Sequence, residues 1–159
     1  MNHAPAITAY IALGANLGDR GTSIDRALDL LRGTSGVTVT KVSSRLENPA
    51  VGGPPDSPPF LNAAAELHTT LTAGQLLDAL LAIERRLGRV RTGKWAPRNI
   101  DLDLLLYGDV VREDPKLTLP HPRMHERRFV LQPLVEIAPD VVHPVLRRTI
   151  RQLLGALDH

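Results

Sequence analysis

Two aspartates, Asp101 and Asp103, stand one residue apart near the start of a leucine-rich segment that reads NIDLDLLLYG. If this segment is a β-strand, alternate side chains point to opposite faces, and the two carboxylates share one of them. The other face would then carry the apolar set Ile100, Leu102, Leu104 and Leu106. Carboxylates whose Cα atoms are ~6 to 7 Å apart repel each other, which favours shared protonation or a hard divalent cation between them. An isolated pair of this kind is also typical of a turn cap beside a solvated strand residue, so its surroundings decide its meaning.

The segment before this strand is strongly basic, because residues 88–98 contain four cationic side chains and no acid. The cations are Arg89, Arg91, Lys94 and Arg98, and Trp95 lies among them. Blocks of basic residues are often only solvated, or they bind nucleic acid. Arginines that converge on a pair of metal-binding acids, however, suit phosphoryl transfer, whose catalysis rests on positioning and on charge stabilisation by Mg²⁺ and Arg or Lys.

Three further features leave more than one interpretation open. Glu84 lies in the last turn of a predicted helix, where the helix dipole disfavours an acid, so it either contacts a ligand or pairs with a neighbouring arginine. GANLG, residues 14–18, lacks both the G-K-[ST] ending of a P-loop and the G-x-G-x-x-G of dinucleotide folds. His121 and His125 lack the H-E-x-x-H pattern of a zinc pair, and we expect a ligand-facing or structural role for them.

The elements that must position these residues follow from the hydrophobic periodicity. Residues 9–13 predict a strand, GANLG a turn, and the apolar spacing after it a helix with Thr22 and Asp25 as its capping box. A second strand, rich in β-branched residues, follows over residues 37–44. Residues 48–59 contain five prolines and two glycines, which predicts a long loop.

The second half of the chain repeats this alternation of strands and helices. In FLNAAAELH, residues 60–68, Phe60, Asn62 and Glu66 share one face of a predicted strand. The other face carries Leu61, Ala63, Ala65 and Leu67. Thr72 and Gln75 predict the capping box of a helix that ends at Gly88. The aspartate strand, short helices and a terminal helical stripe follow. The order βαββαβ predicts a ferredoxin-like α+β fold, an antiparallel sheet with helices packed on one face and C-terminal helical additions.

Composition sets broad limits on the class of protein. The 159 residues are 43% hydrophobic and 23% charged, which predicts a single globular domain over residues 1–159. No apolar run approaches the ~20 residues of a membrane span, and the start of the chain lacks the features of a signal peptide, so we expect a cytoplasmic protein. The absence of cysteine excludes disulfides and thiolate metal sites but not carboxylate sites. The net charge of +2 favours anionic partners only mildly.

Several spaced segments together resemble the 6-hydroxymethyl-7,8-dihydropterin pyrophosphokinase family of folate biosynthesis. They are YIALGANLGDR, ENPAVGG, PPFLNAA, IERRLGRVR, WAPRNIDLDLLLYGD and LTLPHPRMHERRFVLQPLVEIAPD, which span nearly the whole chain. The resemblance implies a ferredoxin-like enzyme that moves the terminal pyrophosphoryl group of ATP to the hydroxymethyl oxygen of the pterin and releases AMP. It also implies two Mg²⁺ ions and loops that close over the substrates.

The resemblance assigns roles to individual positions. Asp101 and Asp103 match the magnesium ligands, and Asp103 also matches a group that helps to activate the substrate hydroxyl. Residues matching the catalytic and nucleotide positions are Arg89, Arg98, Glu84, Arg91, Lys94, Trp95, Thr118, His121 and Arg127. Residues matching the pterin pocket are Asn48, Pro49, Val51, Phe60, Asn62, Trp95 and Phe129. One aromatic ring can stack on a flat heterocycle while Asn62 reads its edge, which agrees with their shared face on the predicted strand.

Two other classes of protein remain to be weighed against this one. A ferredoxin-like sheet with basic loops could bind RNA, but aromatics are only 3% of the chain and the acidic pair would repel phosphate in the absence of metal. A two-metal nuclease would require further carboxylates around the metals. We therefore expect ATP and the pterin as partners of a monomer, with no nucleic acid and no membrane.

Overall fold

The computed structural model describes residues 6–15, 20–48, 60–88 and 100–157. The strands are β1 (Ile7–Ala15), β2 (Val37–Val42), β3 (Leu46–Asn48), β4 (Phe60–Thr69), β5 (Asp101–Tyr107), β6 (Arg112–Glu113) and β7 (Thr118–Leu119). The α-helices are α1 (Arg20–Arg32), α2 (Ala73–Gly88), α3 (Arg128–Ile137) and α4 (Ile150–Ala156), and a 3₁₀ helix spans Met124–Glu126. No helix within the described ranges is both long and apolar enough to cross a membrane.

The main sheet is antiparallel and has the strand order β2-β4-β1-β5, with the short β3 paired to the remaining part of β4. Helix α1 connects β1 to β2, and α2 connects β4 to β5, so that β1 and β4 form the centre of the sheet. This arrangement confirms the predicted ferredoxin-like α+β fold. The β6–β7 hairpin, which follows β5, was not predicted.

Helices α1 and α2 cover one face of the sheet. Alternate residues of β1, including Ile11 and Leu13, point into this core and are fully buried. Helix α2 begins at the predicted capping box, in which Thr72 N donates to Gln75 Oε1 at 2.9 Å and Gln75 N donates to Thr72 Oγ1 at 3.1 Å.

The predicted start of α1 is wrong. The capping box assigned to Thr22 and Asp25 would place the helix start at Thr22, but α1 already begins at Arg20. The Asp25 carboxylate accepts a hydrogen bond from Arg45, which lies in the connection between β2 and β3. Asp25 is therefore involved in a tertiary contact that a local capping pattern cannot reveal.

The C-terminal helices α3 and α4 pack against the opposite face of the sheet. Val130, Leu131 and Leu134 of α3 form a second core with Ile150 and Leu153 of α4. The sheet residues in this core are Tyr10, Ala12, Ala64, Leu105 and Leu106. The sheet therefore has helices on both faces, and its second face is covered by the C-terminal additions.

A bulge in β5 changes the predicted alternation of that strand. The pairing of β1 with β5 shifts between Tyr10 and Ile11, which pair with Leu106 and Leu104, so Leu105 is the extra residue. Leu102 and Leu104 point toward α1 and α2 as predicted, but Leu106 lies in the core on the other face. The prediction that Leu106 shares their face is wrong, because the bulge reverses the alternation after Leu104.

A buried carboxylate lies in the middle of β4. Glu66 is 8% exposed, and its oxygens accept hydrogen bonds from Tyr10 Oη at 2.7 Å and Thr40 Oγ1 at 2.8 Å. Burial acts to raise the pKa of Glu66, but the two hydrogen bonds and the charges of Lys41 and His68 outweigh it, so the pKa lies below its ordinary value. Burial, the hydrogen bond to Glu66 and its negative charge all raise the pKa of Tyr10. The carboxylate is thus held ionised inside the fold.

Candidate active site

Asp101 and Asp103 lie at the start of β5, where both are half-buried and both point to the same face of the sheet. They pair across the strands with Gly14 and Ala12 of β1. Because these partners have no side chain or only a methyl group, β1 does not cover the carboxylates. The face they share is the one on which α3 and α4 pack, and the residues around them form an open cavity rather than a core.

The strand that carries the aspartates is anchored to α2 by Glu84. The backbone N–H of Leu102, which lies between the two aspartates, donates a hydrogen bond of 2.7 Å to Glu84 Oε2. An acid in the last turn of a helix is unfavourable for the helix dipole. The Glu84 carboxylate instead pairs with a backbone donor of β5 and ties α2 to the strand of the two aspartates.

The donor chemistry of this pair fits a hard divalent cation such as Mg²⁺. Magnesium commonly binds through one or two carboxylates and completes its shell with water and substrate phosphates. Within the described ranges, no group of three or more His, Cys, Asp or Glu side chains could hold a metal ion. A pair of carboxylates such as Asp101 and Asp103 suits a cation that completes its shell with water and phosphate oxygens.

A cavity of about 240 Å³ lies beside the aspartates, and we call it the aromatic cavity. Its walls include Phe60 and Asn62 of β4 and Phe129 of α3, and its floor includes Gly14 of β1. Asp101 and Asp103 border one side. Arg127 also lines this cavity, with its guanidinium carbon 5.7 Å from the centre of the Phe129 ring, a distance typical of a cation–π contact.

Asn62 is the polar group inside the aromatic cavity. Asn62 is only 7% exposed, and its Oδ1 atom is buried without a hydrogen-bond partner among the described residues. A buried polar atom left unpaired costs ~1 to 3 kcal/mol. Unpaired groups of this kind are rare in folded proteins, and a ligand that donates a hydrogen bond to Oδ1 would remove the cost.

A second cavity of about 330 Å³ lies next to the first, and we call it the hairpin cavity because residues between β6 and β7 line it. Its polar lining includes Glu84, Lys116, Thr118 and His121, and Asp103 lies at its border. Leu77 and Leu81 of α2 and Leu104 of β5 add an apolar wall. Asp103 lines both cavities, whereas Asp101 lines only the aromatic cavity.

His121 is held as a neutral hydrogen-bond donor in the hairpin cavity. Burial lowers its pKa, the positive charge of Arg127 lowers it further, and the charge of Asp103 only partly opposes them. Its Nδ1 accepts from the backbone N of Arg123 at 3.3 Å, so the proton of the neutral ring lies on Nε2. Its backbone N donates to Leu105 O at 2.9 Å, which ties the loop to β5.

The structure thus brings together nine of the residues singled out from the sequence. Phe60, Asn62, Phe129, Arg127, Asp101 and Asp103 line the aromatic cavity. Glu84, Thr118 and His121 line the hairpin cavity with Asp103. The backbone of Asn48 pairs with Phe60, which places β3 beside the aromatic cavity. The remaining candidates lie outside the described residues: Pro49, Val51, Arg89, Arg91, Lys94, Trp95 and Arg98.

Other lining residues were not predicted. Lys116 and the leucines of the hairpin cavity carry no motif, and only the approach of the β6–β7 hairpin to α2 identifies them. Gly14 could have been found, because alternation along β1 places it on the face opposite Leu13. His125 lies outside both cavities and forms an edge contact with His143, with ring centres 6.2 Å apart.

Comparison with known proteins gives this geometry a context. Residues 10–139 match the sequence model of the family described as 7,8-dihydro-6-hydroxymethylpterin-pyrophosphokinase. A 2-amino-4-hydroxy-6-hydroxymethyldihydropteridine pyrophosphokinase of Bacillus subtilis is 50% identical over 133 residues, which cover 84% of this chain and 79% of that protein. The protein of the same name from Methylorubrum extorquens is 43% identical over 150 residues, or 94% of this chain and 93% of that one.

Solved structures agree with this assignment at the level of the fold. A Plasmodium falciparum HPPK-DHPS structure with pteroate has a TM-score of 0.74 at 16% identity over 98% of this chain. This chain spans only 44% of that longer chain, so the similarity concerns one part of it. The family is shown by the match over residues 10–139 and by the identities of 43 to 50% to its members. The chain belongs to the 7,8-dihydro-6-hydroxymethylpterin-pyrophosphokinase family.

Proposed function

We propose that this protein transfers the pyrophosphoryl group of ATP to the hydroxymethyl group of 6-hydroxymethyl-7,8-dihydropterin and releases AMP, as a step of folate biosynthesis. The position of Asp103 carries the proposal, because this carboxylate lines the two adjacent cavities at once. A transfer between two bound substrates needs a shared boundary at which their reacting groups meet. The family membership of the chain supports the same activity.

The aromatic cavity suits the pterin. Phe60 and Phe129 offer ring faces for stacking on a flat heterocycle. Asn62 Oδ1, which has no partner in the described part of the chain, offers a buried acceptor for the edge of that heterocycle. A site built around such hydrogen bonds rejects analogues that cannot form them, because its own polar group would remain unpaired. We assign the backbone around Asn48, Pro49 and Val51 to the rim of this cavity, and Trp95 to its closure, by resemblance to the family.

The hairpin cavity suits the nucleotide. Leu77, Leu81 and Leu104 provide an apolar surface for a base, while Lys116, Thr118 and His121 provide donors for a ribose or a phosphate. Since Nδ1 of His121 accepts from the backbone N of Arg123, its Nε2 is the atom that can donate to the nucleotide. We assign Arg127, Arg91 and Lys94 to the same substrate, and Arg89 and Arg98 to the charge that develops on the phosphates in the transition state.

Asp101 and Asp103 would hold Mg²⁺, which, when bound, supplies positive charge for the phosphate oxygens. The family resemblance gives two ions. Glu84 supports the pair indirectly, since its hydrogen bond to Leu102 N fixes the peptide between the two aspartates. The carboxylates are thereby pre-positioned on a rigid strand, which lowers the cost of ordering them when the substrates bind.

In the reaction the hydroxymethyl oxygen forms a bond to the β-phosphorus of ATP. The bond from that phosphorus to the oxygen shared with the α-phosphorus breaks, and AMP leaves with this oxygen. The hydroxyl proton must be removed as the new bond forms, and we assign Asp103 to help in this step because it borders both cavities.

Analysis of the nucleotide products tests the proposal directly. The purified protein is incubated with ATP, Mg²⁺ and 6-hydroxymethyl-7,8-dihydropterin, and AMP and ADP are separated and quantified with and without the pterin. We expect AMP that accumulates only when the pterin is present. ADP would mean transfer of the γ-phosphoryl group alone, and unchanged ATP with a folded protein would overturn the proposed activity.

A further inference from the structure

Gly14, the first residue of GANLG, is the last residue but one of the central strand β1 and lines the aromatic cavity. In the sheet register it pairs with Asn62 of β4 on one side and with Asp101 of β5 on the other. It therefore lies between the residue that reads the ring and one of the two acidic residues. No motif explains a glycine here, because GANLG matches neither a P-loop nor a dinucleotide fingerprint.

The backbone does not require glycine at this position. Among the described residues, the glycines with positive φ are Gly36 and Gly108, and Gly14 is not one of them. Glycine in the interior of a strand weakens it relative to alanine, because the unfolded chain is more flexible and no side chain packs. Gly14 thus occupies a regular strand position where alanine would fit the backbone better.

The lack of space for a side chain at position 14 explains why this residue is glycine. A Cβ atom at this position would lie 3.1 Å from Nδ2 of Asn62, which is closer than ordinary van der Waals contact. Asn62 is almost fully buried, so its amide has little room to retreat without changing its position in the cavity. The methyl groups of Ala12 and Ala64, which pair on the neighbouring rung, show that small side chains are otherwise accepted on this face.

We propose that Gly14 is a positioning residue of the aromatic cavity: the absence of a side chain at this position leaves the space in which the Asn62 amide is held to read the edge of the heterocycle. Gly14 acts through Asn62 and contributes to the recognition of a flat, amide-bearing bicyclic ring, not to phosphate chemistry. The inference rests on the proposed function, since it takes the pterin as the occupant of this cavity.

The variant Gly14→Ala tests this role, with Gly155→Ala as a matched control. Gly155 lies in α4, and a Cβ atom there would meet nothing within 4 Å. Binding of 6-hydroxymethylpterin is measured by calorimetry without nucleotide, and KM for ATP, KM for the pterin and kcat are measured in the full reaction. Overpacking by one methyl group predicts ~5- to 150-fold weaker pterin binding in Gly14→Ala. The KM for ATP should stay close to wild type in both variants, and Gly155→Ala should also leave pterin binding and kcat unchanged.

A double-mutant cycle with Asn62→Ala separates action through Asn62 from direct contact with the ring. In the Asn62→Ala background the added methyl group has no amide to displace, so Gly14→Ala should change pterin binding less than about twofold. If the single variant Gly14→Ala does not fold, the double variant decides: with the amide removed it should fold and bind the pterin within about twofold of Asn62→Ala, and a double variant that also fails to fold would overturn the proposal. An equal loss in both backgrounds would overturn the proposal, because the methyl group would then act on the ring itself.

The outcomes also separate this inference from the proposed function. If wild type binds the pterin and Gly14→Ala binds it equally well, the role of Gly14 is wrong and the proposed function stands. If wild type forms no pterin-dependent AMP, the proposed function fails and the inference fails with it.

Discussion

Replacement of Asn62 by leucine should make the protein more stable and a poorer enzyme. The Oδ1 atom of Asn62 is buried without a partner among the described residues, which costs the unliganded protein ~1 to 3 kcal/mol. Leucine has a similar shape and leaves no polar atom unpaired. The free energy of unfolding should therefore rise by up to this amount, which corresponds to ~2 to 12 °C in melting temperature at this chain length.

The same substitution should weaken binding of the pterin. If a polar edge of the ring loses its partner inside the aromatic cavity, binding weakens by ~1 to 3 kcal/mol, which corresponds to a rise of ~5- to 150-fold in the KM for the pterin. The KM for ATP should change little, because Asn62 does not line the hairpin cavity. Thermal unfolding and steady-state kinetics with each substrate varied in turn measure both effects.

Ser43→Ala is the matched control for this experiment. Ser43 is also buried, but its Oγ accepts a hydrogen bond from Ala64 N at 2.8 Å and donates one to Ser44 O at 2.8 Å. Its removal leaves a buried backbone donor unpaired, so stability should fall by ~1 to 3 kcal/mol while both KM values stay unchanged. If Asn62→Leu instead lowered the melting temperature and left the KM for the pterin unchanged, Asn62 would be a structural residue and our reasoning would be refuted.

Three further predictions concern the phosphates and the fold. Asp103→Ala should reduce kcat by at least ~100-fold with little change in melting temperature, because it removes charge stabilisation from the transition state; near-normal turnover would exclude the role. Arg98→Ala should lower kcat more than it weakens binding of the pterin, and the reverse pattern in steady-state kinetics would mean that Arg98 serves the ring. Glu66→Gln should lower the free energy of unfolding at neutral pH, because the pKa of Glu66 in the folded state lies below its ordinary value of 4.5. The contribution of Glu66 to stability should disappear as the pH falls through this lower pKa. Melting temperatures measured from pH 7 to pH 3 should therefore differ between wild type and Glu66→Gln at neutral pH and converge in acid, and a constant difference would contradict the assigned pKa direction.

Local sequence patterns predicted most of the secondary structure because their causes are local. Alternation in β4 placed Phe60 and Asn62 on one face, and the structure has them lining the same cavity. The capping box of Thr72 and Gln75 marked the start of α2 because its hydrogen bonds join residues only three apart. The similar pattern at Thr22 misplaced the start of α1, and there the carboxylate of Asp25 bonds to the distant Arg45.

The acidic pair also shows how far alternation can be carried. It put Asp101 and Asp103 on one face, and their register with Gly14 and Ala12 agrees. It failed at Leu106, since a bulge depends on how β5 pairs with β1 and not on the composition of β5. The chemical types of the candidate residues could therefore be predicted from the sequence. The direction of a side chain could not be predicted where pairing with another strand changes the alternation.

The sequence by itself determined the order of the βαββαβ core, the family and the chemical types of the residues that could serve the reaction. Only the tertiary structure decided which of them meet. Asp103 borders two cavities because α3 and the β6–β7 hairpin approach β5 from different sides, and Glu84 binds Leu102 because α2 packs beneath that strand. The pairing of β1 with β4 puts Asn62 beside Gly14, where its Oδ1 has no hydrogen-bond partner among the described residues. These contacts join residues that are distant in the chain, and their free energy comes from packing and hydrogen bonds that exist only when the sheet and its helices are assembled.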